Sequence, residues 1–272
     1  MKRYRHYQKD KAILLSCFGS VVEAKKYEDL KDFIEEKFPQ IDVFISFSSR
    51  SVIKLLAKKG FLYKNLPQLL ADTDMAGYRK IIVSSINLFP TDEHEMVKKT
   101  AEGFKNFSPS HIRVTKAIFT KSKATTDFLL NLNKKISKKD TANLFIIHGT
   151  PLLDINGSES ISYVERILPK INPLNFVCSL EGSSPFYALK EYFLREFDRL
   201  DVKKVQIVPM LLVSGNHFIK DMNEITDELG EYFETFIASP LTQSEKFNLI
   251  EMDEIREIIV KNIEEEIVKL GE

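Results

Sequence analysis

The sequence predicts an α/β fold of two similar halves, each a parallel sheet covered by helices on both faces. Three observations carry this. Short runs of β-branched and apolar residues recur along the chain, apolar on both faces as fully buried parallel strands are. Each run is followed by a longer segment with apolar residues at helical spacing. The alternation proceeds through four strands and then restarts, so the halves repeat in pattern though not in sequence.

Residues 1–10 are polar and basic and are expected to be loosely ordered. The start, MKRYRHYQKDKAILLSCFGSVV, mimics a signal peptide, but its apolar part, residues 12–18, is short and no convincing small-residue cleavage site follows. It reads instead as the first strand of a cytoplasmic domain. Gly19-Ser20 turns the chain, a helix spans 21–38, and Pro39 ends it. Residues 43–45 form a second strand that ends in Ser46-Phe47-Ser48-Ser49-Arg50, and a helix follows through Lys59, stopped by Gly60. Residues 66–70 are helical and 80–88 are the third strand. Pro90-Thr91-Asp92-Glu93 opens a helix whose acidic first turn suits the dipole. Residues 112–119 are the fourth strand.

The second set has a helix over 125–134, a lysine-rich connection, a strand over 144–147, a helix over 160–168 and a strand over 176–180. A helix over 186–200 leads to the most apolar strand, 205–213. The turn Ser214-Gly215-Asn216 breaks it, a helix covers 217–229, and a short strand covers 235–238. An amphipathic helix over 251–270 closes the chain. The expected division is a first domain over 1–125, a second over 126–250, and a terminal helix in 251–272 that packs back on the first domain.

At 272 residues the chain can bury a large core. Its composition, 43% hydrophobic and 29% charged, excludes disorder and collagen-like or coiled-coil structure. Lys+Arg and Asp+Glu both number 39, so no net field draws the protein to nucleic acid or anionic lipid. No stretch approaches the roughly 18 apolar residues of a membrane span. Cys17 and Cys178 lie in apolar runs and read as buried free thiols in a reducing compartment. The usual phosphate-cradling loops and the GxSxG nucleophile elbow are absent.

The informative residues end the strands of the second half. One strand ends Ile147-His148-Gly149-Thr150, the next Leu180-Glu181-Gly182, and the third Ser214-Gly215-Asn216-His217. In doubly wound sheets ligands bind at the carboxyl ends of strands, and the second, first and third strands are neighbours. Neighbouring strands lie about 4.8 Å apart. His148 would then be central, with Glu181 and His217 on either side. All three side chains can converge on one ion. Two imidazoles and a carboxylate suit cobalt, iron, nickel or zinc. Gly149, Gly182 and Gly215 leave room for a bulky ligand near the backbone. Ser183-Ser184 reads as turn chemistry. The remaining histidines, His6, His94 and His111, are expected at the surface.

These residues carry a resemblance. FIIHGT, SLEGSSPF and above all VPMLLVSGNHFIKDM resemble the anaerobic sirohydrochlorin cobaltochelatases, class II chelatases related to ferrochelatase. LLSCFGS, SFSSRSVIKLLAKKG and SSINLFPTDEHEMV in the first half agree, so the resemblance runs from about residue 12 to the final helix. It implies two flavodoxin-like domains with a tetrapyrrole cleft between them. It also implies an enzyme of the lyase class that inserts Co2+, as substrate metal, into sirohydrochlorin (precorrin-2) in anaerobic cobalamin biosynthesis, with no organic cofactor. The family's metal ligands map onto His148, Glu181 and His217. The chain departs from the family pattern at Pro151-Leu152-Leu153, at Ser183-Ser184-Pro185 and after Met222, which bears on macrocycle preference.

Insertion requires removal of the pyrrole N–H protons. His148 is the expected acceptor, with Glu181 assisting and His217 helping to hold the ion. Ser48, Ser49 and Arg50, with Gly149 and Gly182, are expected to contact the polycarboxylate macrocycle. Partners are then the tetrapyrrole and a divalent metal, without nucleic acid or membrane, and an oligomer is possible. Two alternatives stay open: insertion of iron or nickel or use of another tetrapyrrole, and a non-enzymatic tetrapyrrole- or metal-binding protein of the same fold.

Overall fold

Four parallel strands make one sheet in each half of the chain, as the alternation requires. The computed structural model describes residues 5–154 and 156–271, and for residues 216–218 the backbone alone. The chain forms two compact units, one running to Thr120 and including the residues from Asp253 onward, the other Lys121–Met252.

The first unit contains β1 (Lys9–Cys17), α1 (Ala24–Lys37), β2 (Asp42–Phe47), α2 (Arg50–Lys58), α3 (Leu66–Met75), β3 (Tyr78–Ile86), α4 (Asp92–Lys105) and β4 (His111–Val114). Its sheet has the order β2-β1-β3-β4, all parallel. Residues 12–15 of the central strand have no exposed surface, and burying each such aliphatic side chain is worth about 1.5–3 kcal/mol. Local chemistry sets the helix starts. Ser49 accepts from the Val52 amide at the head of α2, and Asn65 with Gln68 forms a reciprocal capping box at α3.

The last helix, α9 (Asp253–Gly271), belongs to this unit and packs on β3, β4 and α1. Ile255, Ile259 and Ile263 form its buried stripe, and Glu266 Oε2 accepts from Arg113 Nε at 3.0 Å.

Three expectations need correction here. The basic leader is ordered from within: Tyr7 is buried, its hydroxyl donates to Asp74 at 2.8 Å, and β1 starts at Lys9. Residues 1–4 lie outside the described residues. The fourth strand ends at Val114 and is followed by a 3-10 turn at Ile118–Thr120. Ile118 and Phe119 are apolar because they pack against the end of β3, where their amides donate to Asn87 and Leu88 carbonyls at 2.9 and 2.7 Å. His94 is buried rather than at the surface: 6% exposed, in the first turn of α4, with Nδ1 bonded to Ser85 Oγ at 2.8 Å. His6 and His111 are exposed.

The second unit contains α5 (Ser122–Ile136), β5 (Thr141–Ile147), α6 (Ser158–Ile171), β6 (Asn175–Ser179), α7 (Phe186–Arg199), β7 (Lys204–Pro209), α8 (Asn216–Gly230) and β8 (Glu234–Ile237). Its order is β6-β5-β7-β8, again parallel. Towards the amino ends of the strands a row of buried amides crosses the sheet. Asn143 donates to Asn175 at 2.9 Å, and Gln206 donates to Asn143 at 3.2 Å. These three residues sit at one level in the strand pairing. A slip of register would leave buried amides unpaired, so the row pins the strands whose other ends carry the candidate site.

The expected strand over 205–213 ends at Pro209. Beyond it the carbonyls of Leu211 and Leu212 accept from the amides of Leu249 and Ile250, at 3.0 and 3.1 Å. The backbone of this apolar stretch thus leaves the sheet after Met210, whose amide donates to the Ile146 carbonyl at 2.8 Å, and pairs next with residues 249 and 250. Both thiols are buried and unpaired by disulfide, and burial pushes their pKa values up. Among the described residues no helix is long and apolar enough to cross a membrane.

Candidate metal centre

The carboxyl ends of β5 and β6 meet through their backbones. Ile147 lies level with Ser179 in the strand pairing. Just beyond, the Leu180 amide donates to the Ile147 carbonyl at 3.0 Å and the Glu181 amide to the His148 carbonyl at 3.2 Å. The sheet ladder thus continues past the strands and holds His148 beside Glu181. Both side chains are exposed, and His148 Nδ1 lies 3.2 Å from the Gly149 carbonyl oxygen.

Two glycines make this junction possible. Gly149 and Gly182 have φ of +75° and +98°, in the left-handed region. A Cβ on Gly149 would lie 1.9 Å from the Glu181 carbonyl oxygen, and one on Gly182 would lie 2.7 Å from that of Thr150. Their first role is to let the two loops interlock. Gly215 has no such neighbour within 4 Å.

The candidate residues are not at equivalent positions. His148 directly follows β5 and Glu181 lies just past β6, whereas His217 comes after the connection 210–215, in the first turn of α8. The His217 side chain lies outside the described residues. Among the described residues no group of three or more His, Cys, Asp or Glu side chains is arranged to hold a metal ion. What the fold does bring together is the strand order β6-β5-β7, which makes neighbours of the three strands that precede Glu181, His148 and His217.

Ser48, Ser49 and Arg50 stand at the carboxyl end of β2 in the other unit. The exposed Ser48 hydroxyl donates to Glu93 Oε2 at 3.2 Å, Ser49 caps α2, and Arg50 is exposed at the first position of α2. Glu93 was given no role from the sequence. It comes from the acidic first turn of α4, and only the pairing of sheet ends shows its bond to Ser48.

Sequence reasoning also missed Ser179. It is 2% exposed, and its hydroxyl has no hydrogen-bond partner among the described residues. Leaving a buried hydroxyl unpaired costs about 1–3 kcal/mol. Strand alternation sends Ser179 to the face opposite Cys178, where it lines a cavity beside Glu181. Ser183-Ser184 does act as turn chemistry, with the Ser184 carbonyl accepting from the Ser179 amide at 2.8 Å.

The fold is that of known chelatases. The chain superposes on the sirohydrochlorin chelatase SirB from Bacillus subtilis subspecies spizizenii, solved in complex with cobalt, with a TM-score of 0.62 and 13% identity over 94% of each chain. It superposes on SirB from Bacillus subtilis, solved with Fe3+, with a TM-score of 0.65 and 15% identity over 94% of this chain and 95% of that one. A family model described as cobalt chelatase (CbiK) matches residues 11–268, which takes in both sheets, the interlocked glycine loops and all but the end of α9. The resemblance read from the strand-end motifs is borne out, and the chain belongs to the cobalt chelatase (CbiK) family.

Proposed function

We propose that the protein inserts Co2+ into sirohydrochlorin at a centre formed by His148, Glu181 and His217. The observation that carries this is the junction of β5 and β6. Two ladder-like backbone bonds and two left-handed glycines hold a histidine and a glutamate side by side at the ligand end of a parallel sheet. The neighbouring strand β7 leads to a second histidine. The family match supports cobalt, and the sirohydrochlorin chelatase solved with cobalt supports both metal and macrocycle.

Metal insertion exchanges both pyrrole N–H protons for one divalent ion. His148 in its neutral form accepts one of these protons, from the centre of the three strands, and the other leaves to solvent water. Glu181 and His217 hold the incoming ion, and the carboxylate offsets part of its charge while its water leaves. Ser48, Ser49 and Arg50 provide hydroxyl and cationic groups for carboxylates of the macrocycle.

The assay mixes purified protein, Co2+ and sirohydrochlorin and follows the absorbance change of metalation. Wild type is expected to turn over. His148→Ala is expected to reduce the rate about a hundredfold or more, the usual contribution of a general base, and His217→Ala to reduce it by removing a ligand to the incoming ion. Near-wild-type rates in both variants would refute the assignment.

A further inference from the structure

The cavity beside Glu181 lies within one unit, and apart from Glu181 its side chains have no role in the metal chemistry above. Its polar lining comprises Gly149, Thr150, Ser158, Ser179, Glu181 and Ser183. Leu152, Leu153 and Ile161 form its apolar wall. The hydroxyls of Thr150, Ser158, Ser179 and Ser183 are donors that remain protonated at every physiological pH.

Ser158 begins α6, a helix of 14 residues. Its N-cap is Gly157, with φ of +87°, so the capping position offers no side chain to the first amides. Such an amino end carries partial positive charge and favours an anion. The independent observation is Ser179: buried, without a hydrogen-bond partner among the described residues, and part of the cavity wall. A buried hydroxyl without an acceptor is matched by a ligand that brings one.

We propose that this cavity seats one peripheral carboxylate arm of the tetrapyrrole, with the Ser179 hydroxyl donating to it and the amino end of α6 behind it. The arm's methylene carbons lie along Leu152, Leu153 and Ile161. Glu181 lines the same cavity, and its charge weakens but does not abolish the hold on an anion there, equally in wild type and in serine variants, and the hold strengthens when a divalent ion occupies the carboxylate. The seat therefore couples the arm to the metal. It also differs chemically from the Ser48–Arg50 cluster, since its side-chain donors are all neutral. The inference rests on the macrocycle reading above and adds where one arm is held.

The test is equilibrium binding of sirohydrochlorin to the full chain, read by the macrocycle's fluorescence, for wild type, Ser179→Ala and Ser158→Ala. Loss of a hydrogen bond to a charged group predicts roughly tenfold weaker binding for Ser179→Ala, and a smaller loss in the same direction for Ser158→Ala. Affinity for Co2+ alone, by calorimetry, is expected to be unchanged. The melting temperature of Ser179→Ala is expected to hold or rise, because an orphan hydroxyl has been removed. A macrocycle with its arms methyl-esterified is expected to bind wild type and variants alike.

Unchanged sirohydrochlorin affinity in both variants overturns the proposal and leaves Ser179 as a packing defect. A tenfold loss that persists with the esterified macrocycle overturns it too. A wild type that binds sirohydrochlorin but never metalates it defeats the chelatase reading, while the binding ratios still decide this one.

Discussion

Ser85, at the carboxyl end of β3, is bonded on three sides, with the buried His94 as one of its partners. Its amide donates to Thr115 Oγ1 at 3.0 Å, and Asn87 Nδ2 donates to its hydroxyl oxygen at 2.9 Å. The same oxygen lies 2.8 Å from His94 Nδ1, in a bond whose donor depends on the imidazole tautomer. Burial, and then the charge of Lys98, holds the His94 pKa below the ordinary 6.5, with Glu95 opposing. Between the lowered value and 6.5 the unfolded chain binds a proton that the folded chain does not. The stability contributed by neutral His94 is full above pH 6.5 and is lost as the pH falls through the lowered folded value. The melting temperature of wild type is expected to fall on acidification below 6.5, and that of His94→Gln to fall less steeply. Equal slopes in the two proteins would show that other groups carry the acid sensitivity.

The helix α9 follows the second unit in sequence but buries its apolar stripe in the first. Ile259 is 2% exposed, while Val268 on the same helix is 62% exposed. Ile259→Ala is expected to cost about 2–5 kcal/mol in urea unfolding, the range for truncating a buried branched aliphatic. Val268→Ala is expected to change stability by less than about 0.5 kcal/mol. Similar costs for both would mean that the stripe does not hold the helix down. The same distinction between hydrophobicity and strand structure explains β7. Met210 and Leu212 are as buried as strand residues, yet beyond the Met210 amide, which still donates to Ile146, the carbonyls of Leu211 and Leu212 accept from Leu249 and Ile250 and not from a neighbouring strand. Apolar runs report burial, and only hydrogen-bond partners decide where a strand stops.

Across the molecule, the two sheets share the order 2-1-3-4, and each directs its loops from the carboxyl ends of the strands. The proposed ligand set is not selective by itself, since imidazole and carboxylate bind several divalent ions along the Irving–Williams series. In anaerobic competition between Co2+ and Fe2+ for sirohydrochlorin, both are expected to be inserted, with Co2+ the faster. Insertion of Fe2+ alone would move the protein's substrate metal from cobalt to iron.

Most of the architecture was legible in the chain. Parallel strands buried on both faces must be apolar throughout, and their helical connections must repeat every turn, so strand and helix order follow from pattern alone. His148, Glu181 and His217 could be proposed together because the three strands that precede them become neighbours in a doubly wound sheet, in the order β6-β5-β7. Tertiary structure decided the rest. That Gly149 and Gly182 serve each other's loops, that His94 is buried against Ser85, and that Ser179 lacks a partner among the described residues are all facts about neighbours that the pattern does not name. A sequence pattern specifies which side of an element is buried. What it is buried against, and whether each polar atom there finds a partner, is set only when the elements pack.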